Sequence, residues 1–394
     1  MNKIIKLLAL SLIIAAILFV ACKSKNIIAE GKSSPQPDVY VAGYVEMPWK
    51  EDRSTDIATV WKNGIAQYLT DGTAGYAEAR SVFVSGEDVY VAGYEGNVAM
   101  LWKNGLAQNL TDGTLVARAY SVFVSGKDVY VAGYIDKPYT EFYETSIFTG
   151  MDTTILVCSA HATVWKNGVA QNLTEGIAGY AEAHSIFVSG DDVYVAGYEG
   201  ESINTVAMLW KNGVAQKLFD GGANSVFVLG NDVYVAGAGI NTFEIEADND
   251  VIDDYIEGPR IYRFPFAVLW KDGVAQKLVD ENTVTVLSHE DLDKVEISAA
   301  NSVFVSGNDV YVTGYEGGRG ESDRLYMLWK NGVAQKFADS SYWDSSSVFV
   351  LDNDVYTTGG RTTSVWKNGV EQNLVVDETA ISSRTYSVFV NTKK

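Results

Sequence analysis

Ser81-Val-Phe-Val-Ser-Gly-Glu-Asp-Val-Tyr-Val-Ala-Gly-Tyr-Glu-Gly-Asn-Val-Ala-Met-Leu-Trp-Lys-Asn-Gly-Leu-Ala-Gln-Asn-Leu110 reads as four strands joined by three turns. Ser-Val-Phe-Val is strand A. A Ser-Gly-x-Asp hairpin signal leads into strand B, Asp-Val-Tyr-Val-Ala-Gly-Tyr. Strand C is Ala-Met-Leu-Trp-Lys. Asn104-Gly105, the strongest short hairpin signal, leads into strand D, Leu-Ala-Gln-Asn-Leu. A two-residue B–C turn at Glu95-Gly96 sets a register with Asp88 opposite Lys103, Val89 opposite Trp102 and Tyr90 opposite Leu101. The same register fits the last copy around Gly360-Arg361. The strands are apolar on both faces, so such a sheet has to be covered on both sides.

Working outward, the unit recurs. Asp-Val-Tyr begins at Asp38, Asp88, Asp128, Asp192, Asp232, Asp309 and Asp354, and Trp-Lys at Trp61, Trp102, Trp165, Trp210, Trp270, Trp329 and Trp366. Strand-like copies at a period of about 40 residues or more indicate a propeller or a solenoid. The ends decide between them. The first copy enters at Asp38 with strand B and lacks strand A. The last motif, Ser387-Val-Phe-Val390, is a strand A with nothing after it. A solenoid needs polar caps instead. This pattern resembles the ring closure of the β-propeller family over residues 38–390. The resemblance implies an all-β, seven-bladed β-propeller of four-stranded blades, its ring closed by the C-terminal strand completing the first blade. The Trp-Lys-Asn-Gly signature is neither the Trp-Asp of WD40 repeats nor the double Gly of kelch repeats.

With 50 Asp and Glu against 30 Lys and Arg, the chain lacks the basic footprint of a nucleic-acid binder. Frequent Tyr and Gly with only 6 Pro suit many short strands and tight turns. Of two cysteines, the N-terminal segment claims Cys22, leaving Cys158 without an intramolecular partner.

Lys3 and Lys6 precede an apolar run from Leu7 to Ala21, shorter than the roughly 20 residues that span a bilayer. Leu18-Phe19-Val20-Ala21-Cys22 resembles the bacterial lipoprotein box, with Phe19 where that family prefers Leu. The resemblance implies a signal peptide over residues 1–21, cleavage before Cys22, and a diacylglycerol thioether with a further acyl chain such as palmitate on that cysteine. Lys23 stands where Asp signals inner-membrane retention in that family, which implies the outer membrane of the cell envelope. Residues 22–37 are then the lipidated Cys and a flexible tether of roughly 20 Å reach, and residues 38–394 the propeller.

The strand order sends A–B and C–D turns to one face, the bottom, and B–C and D–A loops to the other, the top. The bottom turns are short and nearly identical. Insertions are all on top, at 45–57, 135–161, 239–264, 316–325 and 280–300, which marks a binding face. The bottom lysines, Lys62, Lys103, Lys166, Lys211, Lys271, Lys330 and Lys367, are expected to pair with the Asp that opens each strand B rather than to form an anion site. The acids after strand D (Asp71, Asp112, Glu175, Asp220, Asp280, Asp339 and Asp377) read as turn formers. Glu246, Asp248, Asp250, Asp253 and Asp254 offer a weak Ca²⁺ candidate whose spacing is not that of an EF-hand loop; no other cofactor is expected.

One position varies where its neighbours repeat. The residue before Ser-Val-Phe-Val reads Arg80, Tyr120, His184, Asn224, Asn301, Ser346 and Tyr386. In a propeller strand A is innermost, so this ring is expected to open strand A at the mouth of the central channel and to line a ligand site. The alternative is that these residues fill gaps between blades. Tyr44, Tyr94, Tyr134, Tyr198 and Tyr315 end strand B and form a second, aromatic ring.

Catalytic signals are sparse. The histidines are His161, His184 and His289. Cys158 and His161 alone do not make a Zn site. No G-x-S-x-G elbow and no Asp box of the sialidase kind is present. The expectation is a monomeric, lipid-anchored envelope or surface binding or scaffold module, engaging an envelope protein, a peptide or a glycan at the top face. A carbohydrate-active enzyme and a purely structural envelope protein are the alternatives.

Overall fold

The Asn-Gly pairs fold as their chemistry requires. In this computed structural model Asn104 has φ +52° and Gly105 +79°, and the same pair of positive values recurs at each Asn-Gly and at Asp272-Gly273. Only a type I′ turn uses two such residues, and its twist matches that of the strands it joins. In the copy quoted above, the strands are Ala77–Ser85, Asp88–Glu95, Val98–Lys103 and Leu106–Asn109, each antiparallel to the next.

The structure describes residues 36–50, 53–136, 140–145, 152–157, 159–174, 179–201, 204–245, 260–279, 295–318, 324–339, 347–359 and 363–392. Among them every regular element is a strand, and Asp38–Asn391 form one compact unit. The strands make five four-stranded sheets, one seven-stranded sheet and a two-stranded ribbon of Thr140–Thr145 with Asp152–Val157. In the seven-stranded sheet, Val214–Leu229 is both strand D of the fourth copy and strand A of the fifth. The C-terminal strand Ser382–Asn391 pairs antiparallel with the first strand, Asp38–Lys50, from Asp38 opposite Asn391 to Glu46 opposite Ser382. Among the described residues no sheet closes on itself.

The core lies between sheets. Tyr40, Ala42, Ala58 and Val60 of the first copy pack on Val82, Val84, Val91, Met100 and Trp102 of the second. The next interface repeats this with Tyr90, Ala92 and Leu101 against Val122, Val131 and Trp165. Trp61, Trp102, Trp165, Trp210 and Trp329 are fully buried, and truncating one to Ala should cost about 3–5 kcal/mol. The first and last copies also meet: Val41, Trp61, Val388 and Val390 pack on Tyr356, Val365 and Leu374.

Two chains of contact run through strands A. Phe83, Phe123, Phe187, Phe227, Phe304, Phe349 and Phe389 each meet the next with ring centroids 4.8–4.9 Å apart, and Phe389 meets Phe83 at 4.9 Å. One turn above, Ser81 Oγ accepts from Val122 N–H, and each corresponding Ser accepts from the next copy, ending with Ser387 Oγ accepting from Val82 N–H.

The bottom hairpins explain why Asp-x-Tyr and Lys-Asn recur together. Asn104 Oδ1 accepts from Val89 N–H and its Nδ2 donates to Asp88, while Lys103 Nζ lies 2.7 Å from the same carboxylate and 5.1 Å from the Tyr90 ring centroid. The Lys–Asp pair forms in every copy at 2.6–3.2 Å.

Three expectations need correction. Lys103 is opposite Tyr90, Trp102 opposite Val91 and Leu101 opposite Ala92, two residues from the register expected; Lys367 is likewise opposite Tyr356. The turn is Gly96-Asn97, with Gly96 at φ +56° in the first central place, as a type II′ turn requires. Lys and Asp therefore meet diagonally on one face, not directly across. Second, parts of the insertions expected as loops are strand extensions: Val45 to Met47 pair with Ile57 to Thr55, and Asp232–Ile245 pairs with Arg260–Lys271 out to Ile245 opposite Arg260. Third, strand A begins upstream of Arg80, at Ala77.

Candidate functional site

Strand A starts early because it carries a bulge, and the bulge is the variable residue. Ala79 is opposite Gly93 and Ser81 opposite Ala92, which leaves Arg80 as the extra residue. The shift recurs at Tyr120, His184, Asn224, Asn301 and Tyr386. A bulge leaves one residue out of the ladder, bends the strand and re-aims that residue's side chain. The invariant Gly of strand B makes this possible: a Cβ on Gly93 would lie 1.9 Å from the Glu78 carbonyl oxygen.

These bulges converge. Arg80, Tyr120, His184, Asn224, Asn301 and Tyr386 line one cavity of about 420 Å³, with the serines of the interstrand chain beneath them and Tyr315 beside them. Ser346 lies outside the described residues, as do Cys22, Cys158, His289 and the Ca²⁺ candidate Glu246, Asp248, Asp250, Asp253 and Asp254. Among the described residues no group of three or more His, Cys, Asp or Glu is placed to hold a metal.

One side of the cavity is a web of aromatic and charged groups. The Arg80 guanidinium lies 4.0 Å from the Tyr386 ring centroid and 5.4 Å from that of Tyr120, and its Nη1 is 2.9 Å from Glu78. Tyr120 meets the His184 ring edge-on at 5.4 Å; His184 Nε2 lies 3.2 Å from Glu182. Burial pushes the Glu182 carboxyl up, but hydrogen bonds from His184, Tyr198 and Tyr120 outweigh it and hold the group below its usual range. Burial and the Glu182 charge raise Tyr198, and burial foremost raises Tyr120, so both phenols remain donors at neutral pH. The other side is neutral: Asn224 donates to the Ala300 carbonyl at 3.0 Å, and Asn301 lies beside it.

Of the strand-B tyrosines, Tyr315 reaches this cavity. Tyr44 meets Tyr386 at 6.1 Å, Tyr94 lies under Arg118 at 4.0 Å, and Tyr134 meets Tyr120 at 5.8 Å, so these three mainly hold other side chains. Tyr198 lines a second cavity, of about 590 Å³, with Tyr180, Thr205, Gly222, Ala238 and Ile240; it shares His184 and Asn224 with the first. That cavity was missed in the sequence. Its signal is there: the fifth copy reads Ala236-Gly237-Ala238 where most copies read Ala-Gly-Tyr.

The turn role expected of the acids after strand D is seen at Asp71, Asp112 and Asp377, each accepting from the backbone and hydroxyl of the Thr two residues on.

No family model and no curated protein matches the chain. Among solved structures it is similar to the β-propeller domain of the trilobed protease from Pyrococcus furiosus, at 11% identity and TM-score 0.41 over 88% of this chain and 98% of that one. It is also similar to the acylaminoacyl peptidase of Pyrococcus horikoshii, at 14% identity and TM-score 0.43 over 86% of this chain and 51% of that one, about half the peptidase's length. A third likeness is to the computationally designed Ika8 protein, at 14% identity and TM-score 0.38 over 89% of this chain and 94% of that one.

Proposed function

We propose that the sheets are the blades of one seven-bladed β-propeller, closed where the C-terminal strand completes the first blade, and that the channel mouth is the ligand site of a lipid-anchored envelope module. Closure is supported by Phe389 touching both Phe349 and Phe83, and by Ser387 accepting from Val82 across 305 residues. Binding is supported by one observation above others. The Ser-Val-Phe-Val that follows it is copied almost without change, whereas the bulged residue takes varied, mostly polar identities, and these residues line one cavity.

The anchor is supported by Leu18-Phe19-Val20-Ala21-Cys22 and the tether after it. Two or three acyl chains at about 0.8 kcal/mol per buried CH₂ make a lasting attachment. Replacing Cys22 by Ser should move the protein from the membrane pellet to the soluble fraction; retention in the pellet would refute the anchor.

The site is tested by cross-linked capture from native envelopes with the detergent-solubilised full chain. A variant carrying Arg80, Tyr120, His184 and Tyr386 as Ala, with its melting temperature recorded, is run beside it. A ligand held by the first and lost by a folded variant places binding at the mouth. Equal capture by both removes it from there and leaves a structural or rim-bound role.

A further inference from the structure

At the top of most copies, the strand-B Tyr faces the residue two before the bulge. Tyr94 is opposite Glu78, Tyr134 opposite Arg118, Tyr198 opposite Glu182 and Tyr44 opposite Arg384. The fifth copy departs at both places together, with Ala238 opposite Gly222. Losing a ring and its charged neighbour leaves the cavity of about 590 Å³. Backbone geometry does not demand glycine here. Gly222 is not among the residues with positive φ, and a Cβ on it would meet nothing within 4 Å. A Glu or Arg, as in the second to fourth copies, has room to occupy the gap.

We propose that this gap extends the mouth into a single site for a neutral oligosaccharide, a disaccharide seated at the channel mouth and further units lying in the fifth copy. This rests on the mouth being the ligand site. His184 and Asn224 border both cavities, which therefore adjoin. The gap presents the rings of Tyr180 and Tyr198 and the apolar Ala238 and Ile240, which suit the C–H faces of pyranose rings. Asn224, His184 and Thr205 are placed for hydroxyls. The charged groups nearby are already engaged, Arg80 by Glu78 and Glu182 by His184 and two phenols, so none awaits a charged ligand. The net charge of −20 further opposes an anionic polysaccharide.

The test is calorimetric titration of the full chain in detergent with maltohexaose, cellohexaose, xylohexaose and chitohexaose and their disaccharides. Two variants are compared, Gly222→Glu and Gly222→Glu with Ala238→Tyr. The wild type should bind one hexasaccharide at least tenfold more tightly than its disaccharide. Both variants should keep the disaccharide affinity and lose the tenfold gain. A gain that survives in folded Gly222→Glu overturns the gap as part of the site while leaving the mouth standing. Affinities unchanged in Tyr120→Ala and Asn224→Ala would instead remove the mouth. Absence of binding to every sugar overturns the oligosaccharide, as does capture of peptides from a tryptic envelope digest that Gly222→Glu abolishes.

Discussion

The two faces hold some of their acids in opposite ways. On the bottom, Asp88, Asp128, Asp192, Asp232, Asp309 and Asp354 are held below the usual carboxylate range, first by the Lys hydrogen-bonded to each. On the top, burial pushes Asp56 up to about 6, with Glu78 and Glu46 adding to the rise and Arg384 opposing it. Burial likewise raises Asp136 and Glu95. Bottom acids have every partner they need within their own hairpin. Asp56, Asp136 and Glu95 are partly desolvated instead, whereas Asp71, Asp112 and Asp377 on the same face are held low by the Thr each binds. Local closure within each hairpin explains the first pattern; burial without a paired cation explains the second.

The comparison is broken most severely by removing what both faces hang from. Deleting residues 385–394 exposes the first sheet and removes the buried Tyr386, Val388 and Val390. At roughly 1.5–3 kcal/mol each, this approaches the whole stability of an ordinary domain. Urea unfolding should show loss of the cooperative transition, and an unchanged midpoint would show that the strand is dispensable.

A pair of glycine substitutions separates the faces next. Gly93→Ala, opposite the bulge, drives a methyl into backbone and should cost about 3 kcal/mol. Gly126→Ala, in a bottom hairpin with φ +60° and open space around it, should cost only about 1 kcal/mol. Equal midpoints for the two would mean the bulge yields easily.

Asp56→Asn sharpens the electrostatic contrast. Its folded pKa of about 6 lies above the ordinary 3.8, so between those values the native state holds the extra proton and stability falls as pH rises. The substitution should stabilise the protein above pH 6, on the order of 1 kcal/mol after solvent screening, and the gain should vanish near about pH 4. A gain that is the same at both pH values would contradict the shift. Smallest of all, Lys103→Ala should leave the unfolding midpoint within error, because this ion pair is solvent-exposed. A clear loss of stability would mean the bottom pairs are more than hairpin ornaments.

Much of this was legible before any coordinates, and the failures have causes. The Asn-Gly turns and the copied strands are local signals repeated until noise averages out, and the pairing of the first strand with the last follows from one copy lacking the strand that the other end supplies. The register at Glu95-Gly96 was misread because one Gly serves two turn types, and only its place within the turn distinguishes them. The ring of Arg80 and its equivalents was visible as variation. Its mechanism, a bulge admitted by Gly93, was not, since a bulge is a property of two strands and no single segment encodes it. The gap at Gly222 and Ala238 escaped for a similar reason. Each residue looks like an ordinary small substitution until the ladder places them face to face.

The pairing of Ser382–Asn391 with Asp38–Lys50 also sets a schedule. During synthesis the first strand emerges with one ladder edge open, and its partner is made much later, Ser382 being 336 residues beyond Glu46. Intermediate sheets can form as they appear, since their contacts are local, whereas this pairing waits for residues 382–391 and carries the greatest loop-closure entropy. A chain of this design completes its fold late, and a chaperone that shields an unpaired edge would act on its N-terminal strand.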